Sequence, residues 1–379
     1  MKNAVELMKD VVRSMVSILP ARNIILFESV PDCCGNTKAV FDELVRRGYN
    51  RRYRLIWWLH DSNPEDHERI ENVLYLRDGL NLLSRECFSK LMISENMYFY
   101  KKRKRGQYIF HMFHGAPLKH VSNYYRMPDD VDEVVSLSPY FKHLDAENNQ
   151  CRESIINPLG FPRNDALYER KINPRELFPG RGFNKLIYWL PTFRQNKGGS
   201  LVHSDISIPI IHDEQLAIRV NDVAREHRVL IVVKPHFAQD VSKIKALQMS
   251  NIVFIDDVFL TSKGFLNYDL LAVSDALLTD YSSVYYDYLL TDRPIGLCWE
   301  DFDDYKEKEG FIVDTDVVMA GGEKIYTAED LGEFIGRIGS DIDVLAEKRN
   351  EIKNLVFPQG NIHITPLVAD RIEEILEKL

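Results

Sequence analysis

The sequence predicts an α/β protein made of two doubly wound, Rossmann-like domains that face a cleft. Short apolar runs of strand length alternate with amphipathic helical segments, which is typical of parallel sheets with crossover helices. The chain has 379 residues, enough for two domains of ordinary size. Residues 170–184, rich in glycine, proline and charge, separate two such series. We therefore expect domains at 1–175 and 176–379, with the last helix allowed to cross back.

The composition limits the possible classes of function. A net charge of −9 argues against general nucleic-acid binding, but it is compatible with a local basic pocket for an anionic substrate. The five cysteines include no C-x-x-C pair, so neither disulfides nor zinc are predicted, and a reducing, cytoplasmic setting fits best. No apolar run is long enough to span a bilayer. Charges interrupt the apolar residues near the N-terminus, so no signal peptide is predicted.

Two segments have more than one interpretation. Residues 1–19 predict an amphipathic helix that ends at Pro20. Its apolar face could lie on a membrane, or it could pack on its own domain, which is the commoner use of such a face. The basic run 101–105 could be a solvated loop, or it could contact anionic lipid or a polyanionic acceptor.

The first series of elements follows the N-terminal helix. Each predicted strand is a short, mostly apolar run, and a polar turn that contains Gly35 separates the first strand from its helix. The predicted strands are 23–27, 54–59, 73–76, 91–94, 108–113, 133–137 and 154–158, and the main helices are 38–47 and 139–147.

The second series begins near residue 180. The β-branched run 229–233 is typical of a central parallel strand. The other predicted strands are 186–190, 252–255, 276–278 and 295–298, and the helices are 213–226, 265–273, one after Ser283, 327–338, 341–354 and 365–378.

The stretch 276–290 predicts a strand, a polar turn and a helix in succession. Ser282 and Ser283 stand at the predicted helix start, where unpaired N–H groups and the helix dipole suit a phosphate. Either serine could instead be an ordinary N-cap, which is the commoner role when the stretch is considered alone.

Polar and cationic side chains follow five of the predicted strands. Since ligands of parallel sheets bind outside the carboxyl ends of strands, we expect these side chains to line one cleft. Such groups suit a diphosphate or phosphoryl group, whose transition state needs charge stabilisation, and a histidine there can act as acid or base. The residues are His114, Lys119, Arg163, Asp165, Thr192, Arg194, Lys234, His236, Thr279, Asp280, Ser282 and Ser283.

Each of these residues also has a structural alternative. A single histidine after a strand is more often a hydrogen-bonded structural residue than a catalyst, and Asp165 could cap the helix that follows it. The coincidence of five clusters favours function. No dinucleotide-binding, P-loop or G-x-S-x-G motif is present in the sequence. A metal site at His111 and His114 is not favoured, because no cysteine or carboxylate follows closely.

At these residues the sequence resembles the CDP-glycerol glycerophosphotransferase family, the enzymes of teichoic acid and related polymer synthesis. The matching motifs occur in the family's order between about residues 23 and 300, and the ordered set is far more specific than any one motif. They are Phe27-Glu28-Ser29 with Asn36, His114 to Lys119 (HG-x-P-x-K), Gly160 to Asp165 (G-x-P-R-x-D), Pro191 to Arg194, Lys234-Pro235-His236, and Thr279 to Ser283 followed by Asp287 and Arg293-Pro294.

The resemblance implies a two-domain fold of the GT-B type, with an acceptor-side N-terminal domain and a CDP-donor-binding C-terminal domain. Members of the family transfer glycerol phosphate, or ribitol phosphate, from a CDP-activated donor to an acceptor hydroxyl and release CMP. The resemblance implies His114 as the base that deprotonates this hydroxyl. No cofactor is expected, because the CDP-polyol is a substrate. No residue is assigned as a metal ligand, and the sequence leaves metal dependence open.

The resemblance also assigns the other candidates to two groups. His236, Arg194, Ser282 and Ser283 would hold the diphosphate and stabilise charge on the leaving CMP. Thr192, Lys234, Thr279 and Asp280 are placed with them on the donor side, and Lys119, Arg163 and Asp165 on the acceptor side or in support. Asp280 and Asp287 could orient arginine or histidine side chains, or could simply close turns.

The acceptor implied by the resemblance is a lipid-linked or polymeric hydroxyl, in teichoic acid-like or capsule synthesis. Peripheral contact with the inner face of the cell membrane is expected through residues 1–19 or 101–105. Phe113 and Ala116 stand where the family often has Trp and Thr, and Gln359-Gly360 replaces an Asp-Gly pair, which leaves the polyol open. A primase-like enzyme or a single-module polymerase is expected.

Two other functions compete with this interpretation. A nucleotide-sugar glycosyltransferase or epimerase on the same fold would need carboxylates for ribose and sugar hydroxyls, and the sequence offers no clear equivalent. A non-catalytic assembly scaffold would have no need for both His114 and His236.

Overall fold

The computed structural model shows two α/β units. It describes residues 11, 19–77, 86, 88–96, 106–122, 125–192, 208–235, 241–360 and 363–379. One unit contains Met1–Ala116, Val121–Asp165 and Ile362–Leu379, and the other contains Pro117–His120 and Ala166–Asn361. The predicted N-terminal helix lies almost wholly outside the described residues, and the basic run 101–105 lies entirely outside them.

The first unit is built on a seven-stranded parallel sheet, and all seven predicted strands of this series are found. The strands are β1 (Arg22–Glu28), β2 (Arg54–Trp58), β3 (Val73–Leu76), β4 (Ser89–Ser94), β5 (Tyr108–Met112), β6 (Glu133–Val135) and β7 (Ile156–Asn157). Their order across the sheet is β3-β2-β1-β4-β5-β6-β7. The order reverses between β1 and β4, which makes this pair the topological switch point, the usual ligand position in such sheets.

Helices and short 3₁₀ turns connect these strands. Helix α1 (Gly35–Arg46) follows β1, and α2 (Lys142–Asn148) follows β6. The 3₁₀ turns are Tyr49–Arg51, Pro64–Asp66, Pro139–Phe141, Glu153–Ile155 and Pro162–Tyr168.

The second unit contains a six-stranded parallel sheet. Its strands are β8 (Lys185–Trp189), β9 (Val229–Val233), β10 (Ile252–Phe254), β11 (Ala276–Thr279), β12 (Ile295–Cys298) and β13 (Glu323–Ile325), in the order β10-β9-β8-β11-β12-β13. The switch point lies between β8 and β11. Every residue of β9 is buried, so the prediction of a central strand is confirmed.

Ten helices of this unit are described between the strands and after them. They are α3 (Pro174–Leu177), α4 (Glu214–Glu226), α5 (Ser242–Lys245), α6 (Asp257–Thr261), α7 (Asn267–Val273), α8 (Val284–Leu289), α9 (Phe302–Lys308), α10 (Thr315–Val318), α11 (Ala328–Gly339) and α12 (Ala346–Val356). Among the described residues, no helix combines the length and the apolar character needed to cross a bilayer.

The last helix, α13 (Ile364–Lys378), belongs to the first unit. Its first N–H groups, of Ile364 and Thr365, each donate to the carboxylate of Asp165 at 2.8 Å. Further along, Arg371 donates to the buried Glu133 (Nη2–Oε2, 2.7 Å). Burial alone would raise the pKa of Glu133, but hydrogen bonds from Arg371, Asn157 and Tyr108 lower it. Helix α13 is therefore held at its first turn by Asp165 and at its middle by Glu133.

We predict that Arg371→Met destabilises the first unit by about 3 kcal/mol, because it removes the charge that neutralises a buried carboxylate. The measurement is denaturant unfolding at pH 7. Lys348→Met is the control, since it removes an exposed pair with Glu351 (2.8 Å), and it should cost less than about 1 kcal/mol.

The pH dependence follows from the lowered pKa of Glu133. A carboxyl group of this kind stabilises the fold above its ordinary pKa of 4.5, and that stabilisation is lost as the pH falls through the lowered value. The difference between native chain and variant should therefore shrink in acid. A loss for Arg371→Met no larger than that of the control would contradict this account of α13.

Candidate functional site

His114 lies at the carboxyl edge of the first sheet, just after β5. Its side chain is exposed, and its backbone carbonyl accepts a hydrogen bond from the Arg163 guanidinium (Nη1–O, 2.6 Å). Arg163 follows β7 at the same edge, and its backbone N–H donates to the Asn36 side chain (N–Oδ1, 3.1 Å). The structure thus brings two residues of the predicted set, His114 and Arg163, into direct contact.

The neighbouring histidine of this strand, His111, has a different environment. It is buried in β5, with Nδ1 3.2 Å from the Ser94 hydroxyl. Burial, together with repulsion from His114, lowers the pKa of His111 to about 3, so its imidazole is neutral at neutral pH. Within the described ranges, no group of three His, Cys, Asp or Glu side chains could hold a metal ion. His114, just after β5, is therefore the candidate acid–base group at this strand end.

Two buried residues that are bonded to the turns around His114, or to each other, received no role in the sequence prediction. Asn36 donates through Nδ2 to the backbone carbonyl of Phe113 at 2.7 Å. The carboxylate of Glu95, which follows β4, accepts the backbone N–H groups of Asn36 (2.9 Å) and Thr37 (3.3 Å). Gly35 leaves room for this carboxylate, because a Cβ there would lie 2.5 Å from Glu95 Oε2. The available signal was the position of Glu95 directly after the predicted strand 91–94.

Burial dominates the electrostatics of Glu95. It raises the pKa of Glu95 to about 7, although the Arg163 charge and the two N–H donors oppose the shift, and Glu28 adds to it. The Arg163 charge and the N–H groups at the start of α1 thus stabilise the ionised form of the Glu95 carboxyl group.

The other two acceptor-side candidates, Asp165 and Lys119, have different partners. Asp165 is a helix cap, but the prediction that it caps the next helix in the chain is wrong, because it caps α13, about two hundred residues later. Lys119 forms an antiparallel bridge with Phe311, and its ammonium lies 5.4 Å from the ring centre of Tyr305, within the second unit.

In the second unit, Asp280 connects two strand ends at the switch point. Its buried carboxylate accepts the backbone N–H of Thr192 (3.0 Å), the Thr192 hydroxyl and the N–H of Tyr281 (2.7 Å). Beside it, the Thr279 hydroxyl donates to the Leu190 carbonyl at 2.9 Å. These bonds join the turn after β8 to the turn after β11, so Asp280, Thr192 and Thr279 fix the local backbone. Direct contact of these residues with a donor stays a prediction.

Ser282 and Ser283 lie in the turn between β11 and α8. Ser283 occupies the N-cap position but makes no side-chain capping hydrogen bond, and the Ser282 hydroxyl is 3.5 Å from the Val284 N–H, at the limit of a hydrogen bond. The simple capping alternative is therefore not realised by Ser283. Helix α8 has only six residues, so its dipole adds little to anion binding.

Of the remaining donor-side candidates, only Lys234 lies within the described residues. The Lys234 ammonium lies 3.0 Å from the Asp257 carboxylate, which holds it beside the end of β9. Arg194 and His236 lie outside the described residues, so their positions stay predictions. Asp287 is buried and accepts a hydrogen bond from the Tyr268 hydroxyl. That it orients an arginine or histidine side chain, or closes a turn, stays a prediction.

Comparison with known proteins adds to this geometry. The chain is 28% identical over 249 residues to the teichoic acid ribitol-phosphate primase of Bacillus spizizenii, a match that covers 64% of this chain and 59% of the primase. It is 24% identical over 364 residues to the teichoic acid poly(glycerol phosphate) polymerase of the same organism, with 86% of both proteins covered. The solved structure of the wall teichoic acid polymerase TagF aligns with a TM-score of 0.74 at 22% identity, over 100% of this chain and 96% of that one.

The likeness to TagF confirms the predicted fold class. The family model described as CDP-glycerol:poly(glycerophosphate) glycerophosphotransferase matches residues 11–374, nearly the whole chain. The chain therefore belongs to the CDP-glycerol:poly(glycerophosphate) glycerophosphotransferase family.

Proposed function

We propose that this chain transfers glycerol phosphate, or ribitol phosphate, from a CDP-activated donor to an acceptor hydroxyl and releases CMP. The observation that carries the proposal is the exposed imidazole of His114 at the carboxyl edge of a parallel sheet, with its backbone carbonyl held by Arg163. Histidine is the side chain that enzymes most often use as a general base. Membership of a glycerophosphotransferase family supports this chemistry.

In the proposed reaction, His114 accepts the proton of the acceptor hydroxyl as its oxygen attacks the β-phosphorus of the donor in line. The new oxygen–phosphorus bond forms while the bond from the β-phosphorus to the bridging oxygen breaks. The electron pair of the broken bond stays on that oxygen, and CMP leaves as an anion. Stabilisation of this charge lowers the barrier more than covalent chemistry could.

The donor diphosphate is proposed to lie at the carboxyl edge of the second sheet. The hydroxyl groups of Ser282 and Ser283 would donate hydrogen bonds to its oxygens, with Lys234, Arg194 and His236 supplying positive charge. Arginine offers a planar fork that fits two phosphate oxygens at once. Asp280, Thr192 and Thr279 support this arrangement by tying the turns together, since their side chains are bonded to protein groups.

The acceptor is proposed to be a lipid-linked or polymeric hydroxyl in teichoic acid-like or capsule synthesis, reached from the cytoplasmic face of the membrane. The relatives named as a primase and a polymerase of teichoic acids support this proposal. Membrane contact would be made by residues 1–19 or 101–105. Deleting both segments should release the protein from anionic vesicles in a flotation assay, and retained binding would overturn this part of the proposal.

We predict that His114→Ala lowers the rate of CMP release from CDP-glycerol or CDP-ribitol by about 10²–10⁴-fold, the usual effect of removing a general base. Binding of the donor, measured by calorimetry, should change by less than about twofold, since the base acts on the acceptor.

His143→Ala is the matched control. His143 is an exposed histidine of the same unit that contacts Glu153 (3.1 Å), and its loss should leave turnover unchanged. Full turnover in His114→Ala would show that the base is another group. If neither CDP-polyol binds, the proposed substrate class fails.

We also predict that the double variant Ser282→Ala, Ser283→Ala weakens donor binding by about 10²–10⁴-fold, because each of the two hydrogen bonds to a charged group contributes about 1.5–3 kcal/mol. Its thermal stability should stay close to that of the native chain, since Ser283 makes no capping bond. Ser262→Ala is the control, because the Ser262 hydroxyl donates to the Phe259 carbonyl at the end of α6 (3.0 Å). Unchanged donor affinity in the double variant would exclude these hydroxyls from the diphosphate site.

A further inference from the structure

The switch point of the first sheet is occupied by a side chain of the protein itself. In parallel α/β sheets this position, next to a helix N-terminus, commonly receives an anionic ligand. Here the carboxylate of Glu95 takes it and accepts the N–H groups of Asn36 and Thr37 at 2.9 and 3.3 Å. Gly35, with φ at +68°, provides the space. The start of α1 is thereby fixed to the end of β4.

Both ends of the Asn36 amide are used. Its Nδ2 donates to the carbonyl of Phe113 (2.7 Å), and its Oδ1 accepts the backbone N–H of Arg163 (3.1 Å). The side chain is fully buried, so water does not compete for these bonds. Asn36 therefore connects the turn after β5 to the turn after β7.

The result is a closed set of bonds around one residue. The carbonyl that precedes His114 belongs to Phe113 and is bound by Asn36, whereas the carbonyl of His114 itself is bound by Arg163. Asn36 and Arg163 are in turn bonded to each other. Holding the carbonyls on both sides fixes the backbone dihedral angles of His114, and with them the direction of its Cα–Cβ bond.

We propose that Glu95 and Asn36 are positioning residues that set the direction of the His114 imidazole toward the acceptor hydroxyl. This inference rests on the proposed function, in which His114 is the base. Glu95 fixes the backbone of Asn36, Asn36 fixes Phe113 and Arg163, and Arg163 completes the set at the His114 carbonyl. None of these residues needs to touch the substrate. Changing them should therefore lower the rate of the chemical step and leave substrate binding unchanged.

The test measures kcat and KM for CMP release in Asn36→Ala and Glu95→Gln, alone and combined with His114→Ala. Asn36→Ala should lower kcat by about 10²-fold, the effect of a displaced catalytic group, with the KM of the donor within about twofold of native. Glu95→Gln should act in the same direction, because an amide can accept only one of the two N–H bonds. In the His114→Ala background, neither change should lower the residual rate further.

Asn50→Ala is the matched control. Asn50 is also buried, and its Nδ2 donates to the Glu71 carbonyl (3.0 Å), but it precedes β2 at the opposite edge of the same sheet. Its kcat should equal that of the native chain. If Asn36→Ala does not fold, Glu95→Gln alone decides by the same criteria.

The outcomes separate this inference from the proposed function. If His114→Ala lowers kcat and the Asn36 and Glu95 variants do not, or if their losses add in full to that of His114→Ala, the positioning role is overturned and the base assignment survives. If His114→Ala leaves kcat unchanged, the base assignment fails, and the positioning role fails with it.

Discussion

Buried carboxylates bridge the switch points of both sheets, and the arrangement of the candidate site depends on these bridges. Glu95 joins β4 to the start of α1, and Asp280 joins the turn after β8 to the turn after β11. A backbone N–H needs an acceptor when it is removed from water, and a carboxylate satisfies two or three such donors at once. The Glu95 bridge therefore helps to fix the turn that carries His114, and the Asp280 bridge helps to fix the turn that carries Ser282 and Ser283.

The two bridges serve different kinds of site. In the first unit, the bonds from Glu95 continue through Asn36 to the backbone on both sides of His114, so a single catalytic candidate is oriented. In the second unit, Asp280 and Thr279 hold two turns together at the carboxyl edge of the sheet. In the proposed reaction, a phosphoryl donor must be held by several groups at fixed distances. A general base must instead point at one hydroxyl of the acceptor. The second unit would meet the first requirement, and the first unit the second.

Most strands could be predicted from the sequence because they lie inside parallel sheets, where burial on both faces produces continuous apolar runs. Val229–Val233 was found at its exact bounds for this reason. The edge strand Glu323–Ile325 was missed, since only Ile325 is buried and the strand is held by backbone pairing with β12. Short helices such as Ser242–Lys245 were missed too, because four residues cannot show a helical period.

Part of the candidate site could likewise be predicted from the sequence, and part could not. His114, Arg163 and Asp280 could be found from the sequence because a parallel sheet places the residues after its strands at one edge. Their partners could not be found, because the contacts join distant parts of the chain: Arg163 meets Asn36, and Asp165 caps a helix that begins at Ile364. Such pairs depend on the strand order across the sheet, which periodicity along the chain does not reveal.

The pKa of Glu95 indicates why this bridge is more than a device for stability. A carboxyl group whose pKa is raised from 4.5 to about 7 stabilises the fold fully only below the lower value, and that contribution is lost as the pH rises through the upper one. At neutral pH and above, a buried Glu95 thus weakens the fold relative to an exposed glutamate. A costly buried charge of this kind is typical of functional positions. The Arg163 charge favours the ionised form of Glu95, and the same guanidinium donates to the carbonyl of His114. One group therefore both opposes the protonation of the bridge and contacts the backbone of the proposed base.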